Sequence, residues 1–574
     1  MTGTFKDRFK SFISNDFLAA AVFLVVYLCS NSYIFGWDDQ HLEIPLLKHL
    51  IDPSLYKGDY YVESLAKNFS SYLYPILARF IKASQVQSAY LVLFLIARYF
   101  IFLSLYKLWK FLSKDKFAAV CAVLMFILLG RTEEFLYRTF SHQIAGECFM
   151  FAGIYFFYKE RFLLAALIFG LAANIHGIYN LFPMIFMWVF LVLFHPKRFS
   201  MAIKTGLIFT VSCLPFLLWQ LPRSIHEKIV GPSIPVNQWM PLYLESCPQN
   251  FIFNGVHLDV ALKDPVFIFE RLEPYLFLLV LYVFLLLFFP PFRKDTKTHV
   301  VVWVAYALII FSNIFSLVIP SRFVLDLNLL RNEQFIRIFL MAYATFWAVD
   351  TVKKTKPWQA ILAALIFLCI GFGNWLYFLP KLKIYLPAII GMAAIFIVLS
   401  FKQSSKFGLY LRRALIIIPL LWSFYSWCKF HYDFIQVKHH GQGFWQFQRN
   451  WEDMQRYVRD HTPKEATILA PIDTDIGGFR IQSERKVVVC NRDCGIIGFD
   501  YAATLEWKRR MEDMKGFIVM TNKSVDQPIL NGILKYKVDY VVFMKYYEPR
   551  KDNPVFKKIY ENEVLSLFKV TVHP

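Results

Sequence analysis

Three polar clusters interrupt an otherwise apolar chain, and each carries side chains able to handle a proton or an anion. The first is "GWDDQ", where Asp38 and Asp39 follow the first long apolar run. A carboxylate near a bilayer surface, walled by aromatic residues, is partly desolvated and can take up a proton during catalysis. The same pair would also serve as a helix cap in a solvated loop. The second cluster is "RTEEFLYRTFSHQ", which places Arg131, Glu133, Glu134, Arg138 and His142 within a dozen residues. Helical spacing would set Glu134, Arg138 and His142 on successive turns. That arrangement is either a surface ladder of ion pairs or an acidic element flanked by groups that meet an anion. The third, "PSRFVLDLNLLRNEQFIR", contributes Arg322, Arg331, Gln334 and Arg337. Arg337 falls just inside an apolar span, a costly place for a guanidinium without a partner. A lipid phosphate matches its fork of donors, and snorkelling to the headgroups is the structural alternative. His176 and Asn174, at the outer end of another span, either line the same cavity or are satisfied within the bundle.

The elements that must position these clusters follow from composition. The chain has 574 residues, 57% of them hydrophobic and 18% aromatic, with a mean hydropathy of +0.43. A soluble protein could not hide that much apolar surface, so the class is a polytopic membrane protein. Hydropathy gives about thirteen transmembrane helices, from Phe17–Phe35 to Ala414–Trp427. The net charge of +20 sits mainly in short loops, and every second loop is basic. Such loops stay cytoplasmic, so the N-terminus is expected inside and the C-terminus outside. This scatter of charge excludes a nucleic-acid face. The basic N-terminal segment is followed by no small-residue cleavage motif, so the first helix is expected to be retained.

Residues 1–430 form the expected membrane domain, with outer loops at 36–88, 130–147, 220–274 and 320–334. Within the first loop, "SSYLYPILARFIKA" reads as a helix lying at the membrane interface. Residues 431–574 are more charged, and strand-like runs such as "ATILAPI", "RKVVVC", "GFIVMTN", "VDYVVFM" and "LSLFKVTVHP" alternate with helical ones. That pattern predicts a small extracytoplasmic α/β domain with a mainly parallel sheet. It contains no glycine-rich phosphate loop, so nucleotide binding has no support. Cys490 and Cys494 are close enough to pair in an oxidising compartment or to remain two thiols, and they lack the further ligands of a zinc site.

The acidic loop after the first helix, the interfacial segment, the second acidic loop and the outer C-terminal domain together resemble the GT-C superfamily of integral membrane glycosyltransferases. That superfamily includes protein O-mannosyltransferases, the aminoarabinose transferase and the oligosaccharyltransferase catalytic subunit. "GWDDQHLEIPLLKHLIDPSLYKGDYY" and "NWEDMQRYVRDHTPKEATILAPIDTDIGGFRIQSERKVVV" are similar to the two ends of a poorly characterised bacterial family of GT-C-like proteins. The resemblance implies a sugar donor on a polyprenyl phosphate and a carboxylate base from Asp39 or Asp38. It implies an assisting acid from Glu133 or Glu134. It also implies basic and polar groups around the donor, drawn from Arg131, Arg138, His142, His176, Arg331, Gln334 and Arg337. The implied reaction is one displacement with inversion, onto a glycan, lipid or protein acceptor. A divalent cation, magnesium or manganese, stays open as a cofactor, and no metal ligand is assigned. The sequence has "DDQ" where the mannosyltransferases have "DE", and no "WWD"-type motif, which argues against protein N-glycosylation. The implied location is the bacterial inner membrane, in contact with its lipids. Two other readings stand beside this one: a non-catalytic transporter, or a lipid-glycan handling and assembly scaffold.

Overall fold

The computed structural model describes residues 15–129, 135–225, 234–256, 258–354, 356–372, 378–401, 406–436, 438–439, 442–472, 478–514, 527–549 and 553–571. The chain divides into two compact units. One comprises Met1–Ser32, Phe94–Arg138 and His142–His431; the other comprises Tyr33–Leu93, Thr139–Ser141 and Tyr432–Pro574.

Among the described residues, seven helices are long and apolar enough to cross a bilayer: Ala83–Ser113, Gly177–Phe194, Pro265–Phe288, Thr296–Val318, Leu329–Lys354, Lys381–Leu399 and Phe407–Asp433. Four shorter apolar helices accompany them: Asp16–Asn31, Lys116–Leu129, Phe162–Ala173 and Pro357–Gly371. Val280, Leu287, Ile310, Ile390 and Leu421 are exposed on these segments. An apolar surface of that kind suits lipid and not water. The protein is therefore a polytopic helical membrane protein. Leu329–Lys354 is the most deeply buried of the seven. A helix packed on all sides can hold polar groups at its head in fixed positions, which matters for Arg331, Gln334 and Arg337.

The expected interfacial helix is shorter than its sequence suggested. Only Leu73–Leu77 is α-helical, followed by a 3₁₀ turn at Ala83–Gln85. Pro75 lies in the first turn of that short helix, where its missing N–H costs nothing. Ile76 and Phe80 are exposed.

In the second unit, five strands form one sheet: β1 (Thr467–Leu469), β2 (Lys486–Val487), β3 (Tyr540–Met544), β4 (Phe556–Glu561) and β5 (Leu565–Val570), in the order β2-β1-β3-β5-β4. β1 runs parallel to β2 and β3, whereas β5 is antiparallel to β3 and to β4. The sheet is thus mixed and not mainly parallel. The reason is the tight connection at Asn562, whose side chain accepts from the Val564 and Leu565 amides and turns the chain straight back. "FKKIYE" lacks a clean apolar alternation, so β4 was not evident from pattern. The expected strand "GFIVMTN" lies outside the described residues. Helix Phe444–His461 lays Phe447, Trp451, Met454 and Val458 on the sheet, against Ile468, Val542, Leu565 and Leu567. Those helical positions recur at three- and four-residue spacing, as one buried face requires.

The first outer loop belongs to this same unit. Asp59 accepts from Arg480 Nε at 2.7 Å, and Asp493 accepts from Arg480 Nη1 at 2.9 Å, all three side chains being buried. Tyr56 donates to the Arg480 carbonyl at 2.8 Å. Lys48 pairs with Glu484 at 2.6 Å, and Ser64 and Asn68 both donate to Asp500. Taking ions out of water is repaid only when their remaining hydrogen bonds are filled, and here they are.

Candidate functional site

Asp38 and Asp39 sit in the second unit, on the turn that begins helix Gln40–Ile51. Asp39 occupies the N-cap position, yet its carboxylate makes no capping bond; its backbone carbonyl receives the Leu42 and Glu43 amides at 3.1 and 3.0 Å. The side chain is exposed, and among the described residues it forms no ion pair. The capping role open to it on sequence grounds is therefore not the one its carboxylate performs. Asp38 has φ 49°, in the left-handed region that aspartate tolerates better than most residues. Its carboxylate faces Arg492 at 3.9 Å, and its carbonyl meets His41 Nδ1 at 2.5 Å. His41 Nε2 reaches the Arg492 carbonyl at 3.1 Å. Burial pushes the His41 pKa below its ordinary value, against the pull of the Asp38 carbonyl. Of the two aspartates, Asp39 is the more exposed, and among the described residues it alone forms no ion pair.

The remaining described site residues lie in the first unit. Arg131, Glu133 and Glu134 fall outside the described residues. Arg138 and His142 do not share a helix: the helix begins at His142, and Arg138 precedes it in irregular backbone, with Nη2 3.4 Å from His431 Nε2. The expected ladder of turns is absent there, and Arg98 ties down the irregular backbone instead. Its fully buried guanidinium donates to the Phe135 and Tyr137 carbonyls at 2.6 and 2.5 Å. It also lies 3.9 Å from Glu147 and over the rings of Tyr27 and Phe94.

His142 stacks on His176 with ring centroids 4.8 Å apart, and His176 meets Tyr179 edge-on at the same distance. Arg331 covers the Tyr179 ring at 5.6 Å. These residues form one continuous line. Asn174 is used structurally, donating to the Ser212 carbonyl and accepting from the Phe216 amide.

Beyond Arg331 opens a cavity of about 260 Å³, lined by Arg271, Asn328, Arg331, Glu333 and Gln334 together with Tyr275. Arg337 pairs with Glu333 one turn away at 2.6 Å. That pair neutralises Glu333, and the two arginines that line the cavity are Arg271 and Arg331. Arg271 packs over Phe267, its Nε is buried without a hydrogen-bond partner, and among the described residues it forms no ion pair. Two guanidinium groups with amides between them suit a phosphate or another compact anion.

Sequence reasoning missed Arg98, Arg271 and the Glu333–Arg337 pair. Arg98 was discoverable as the one arginine inside an otherwise apolar span. The pair was discoverable from its four-residue spacing. Arg271 lies in "FERLEPY", ahead of a span, and nothing in its local pattern distinguishes it. Among the described residues no three His, Cys, Asp or Glu side chains could hold a metal ion together. Asp38 already faces a guanidinium, a neighbour that disfavours a cation beside it. Cys490 and Cys494 form no disulfide with each other here, and burial pushes Cys490 up to about 12, which makes it a poor nucleophile.

Residues 449–514 match a family described as a domain of unknown function, DUF6798. No curated protein matches the chain. Among solved structures, the chain is similar to ArnT from Cupriavidus metallidurans, crystallised bound to undecaprenyl phosphate. The TM-score is 0.47 and the identity 11%, over 96% of this chain and 97% of that one.

Proposed function

We propose that the protein is an integral membrane glycosyltransferase of GT-C type, moving a sugar from a polyprenyl-phosphate donor to a glycan, lipid or protein acceptor outside the cytoplasm. The observation that carries this reading is the cavity at the head of Leu329–Lys354, lined by Arg331 and by Arg271, which forms no ion pair among the described residues, inside a lipid-facing helical unit. A lipid-borne phosphate needs that combination.

In this reading Arg271 and Arg331 bind the donor phosphate and receive the charge that builds on it as the glycosidic bond breaks. Gln334 and Asn328 orient its oxygens, while His142, His176 and Tyr179 line the approach behind Arg331. The resemblance to GT-C enzymes gives Asp39 the part of base on the acceptor hydroxyl. That oxygen attacks the anomeric carbon, the bond from carbon to phosphate oxygen breaks, and polyprenyl phosphate departs with its electron pair. Asp38, held by Arg492, keeps the turn in place. Glu133, Glu134, Arg131 and Arg138 complete the second acidic loop in the resemblance, as assisting acids and donor contacts.

The test is transfer itself. Purified protein in lipid is given radiolabelled polyprenyl-phosphate sugars with a membrane extract as acceptor. Label should pass from at least one donor to the extract. If no donor gives label and none binds, the reading fails; donor binding without transfer would favour the scaffold reading instead.

A further inference from the structure

The third outer loop brings to the arginine cavity two amides that the reaction above leaves unused. Gln249 and Asn254 line the cavity and are exposed, and among the described residues neither side chain makes a hydrogen bond.

Their positions are fixed from the sequence upward. "PQNFIFNGV" forms a 3₁₀ turn at Pro248–Asn250 and then a tight turn, in which the Asn254 amide donates to the Phe251 carbonyl at 2.9 Å and the Val256 amide to the Phe253 carbonyl at 3.0 Å. Asn254 and Gly255 have φ 47° and 82°. Asparagine tolerates that region, and a Cβ at Gly255 would come within 2.9 Å of the Leu244 carbonyl oxygen, so glycine is required there. The loop is anchored on three sides. Phe253 is buried, its ring centroid 6.3 Å from that of Phe267 on the helix that carries Arg271. Asn250 donates to the Leu325 carbonyl at 3.2 Å, and the Tyr243 hydroxyl donates to the Asp326 carboxylate at 3.1 Å. A wall held in this way presents its amides without first having to order a loop.

Size and charge limit what the wall can meet. At about 260 Å³ the cavity exceeds the roughly 150 Å³ that takes up a benzene ring. A phosphate on Arg271 and Arg331 therefore leaves room for part of the group attached to it, on the side where the exposed amides stand. The lining has two guanidinium groups and one carboxylate, Glu333, which Arg337 engages through Nη2 at 2.6 Å and Nε at 2.8 Å. An ammonium at this wall would meet no unengaged carboxylate among the lining residues, and Arg271 would repel it. A hydroxyl both donates and accepts, and so does a primary amide. Each amide can thus serve two neighbouring hydroxyls, one through its oxygen and one through its NH2.

We propose that Gln249 and Asn254 are the sugar-selecting residues of the donor cavity, and that the sugar they select is an uncharged polyol and not an amino sugar. The inference rests on the transferase reading for the donor being a polyprenyl-phosphate sugar, and it names the class of sugar which that reading leaves open.

The experiment is competition binding on the full chain in lipid nanodiscs loaded with radiolabelled polyprenyl phosphate. The competitors are the bare lipid, its glucosyl, mannosyl and galactosyl forms, and its glucosaminyl and galactosaminyl forms. At least one uncharged sugar lipid should displace the label better than the bare lipid does, and better than either amino-sugar lipid. Gln249→Met keeps the side-chain length and Asn254→Gly keeps the positive φ, so the melting temperature should hold for both. Each should cut the advantage of the sugar lipid over the bare lipid by about fivefold, the worth of one hydrogen bond. If one variant fails to fold, the other decides. Amino-sugar lipids bound as tightly as the uncharged ones would overturn the proposal. So would sugar lipids bound no better than the bare lipid, or an advantage unchanged in both variants; those results would leave the phosphate site and the transferase reading standing. Failure of every lipid to bind, the bare one included, would sink the donor site itself and the selection with it.

Discussion

Arg480 donates from Nε to Asp59 at 2.7 Å, joining residues 421 positions apart in the chain. The same guanidinium holds Asp493, so one side chain fastens the first outer loop to the C-terminal domain within a single unit. Replacing it with methionine would leave two buried carboxylates uncompensated. Arg480→Met should therefore destabilise this unit by about 3–5 kcal/mol. Limited proteolysis of the full chain should show cleavage of both segments at lower temperature, together and not one before the other.

Arg271 and Arg337 make a second contrast. Arg271 has no carboxylate partner among the described residues, whereas Arg337 neutralises Glu333. Arg271→Met should leave the melting temperature nearly unchanged and weaken polyprenyl-phosphate binding by about 1.5–3 kcal/mol, the worth of a hydrogen bond to a charged group. Arg337→Met should do the reverse, lowering stability first because it strands Glu333. Equal effects of the two on binding and stability would remove Arg271 from the donor site.

Arg98 is expected to act through the backbone. Without it the Phe135 and Tyr137 carbonyls lose a buried donor, and Glu147 loses the cation beside it. Arg98→Leu should reduce the yield of folded protein sharply, and Arg98→Lys should not restore it, since an ammonium cannot span the same acceptors. A folded, stable Arg98→Leu protein would contradict this role.

His41 sets a pH dependence. Its folded pKa is depressed by burial, while the unfolded chain has the ordinary value near 6.5. Below about pH 6.5 the unfolded chain takes the proton first. The stability contributed by the neutral ring is thus present above that pH and lost as pH falls toward the folded value. The melting temperature of wild type should drop from about pH 7 to about pH 5, and His41→Gln should flatten part of that drop. Parallel curves for the two proteins would show that His41 does not titrate between the states.

Much of the architecture was legible because membrane spans and half-buried strands write their burial into hydropathy. The α/β elements "WEDMQRYVRDH", "YAATLEWKRRMEDM" and "VDYVVFM" stand where periodicity put them. What pattern could not supply was pairing over distance. Nothing near Asp59 announces Arg480, and nothing near Phe135 announces Arg98. The helical spacing of Arg138 and His142 is not realised, and the irregular backbone before His142 is held by a guanidinium distant in sequence. Asp39 was legible as a residue type in a telling place; that its carboxylate leaves the cap empty required the structure. Arg271 was invisible because a surface arginine and a cavity arginine look alike in sequence.

The most direct test of the central claim is sugar transfer by wild type against Asp39→Asn, with matched melting temperatures and matched donor binding. The account predicts that the substitution lowers transfer by a hundredfold or more, of the order that general-base catalysis supplies, while donor binding stays the same. Transfer at the wild-type rate by Asp39→Asn would contradict the assignment of the base to this turn.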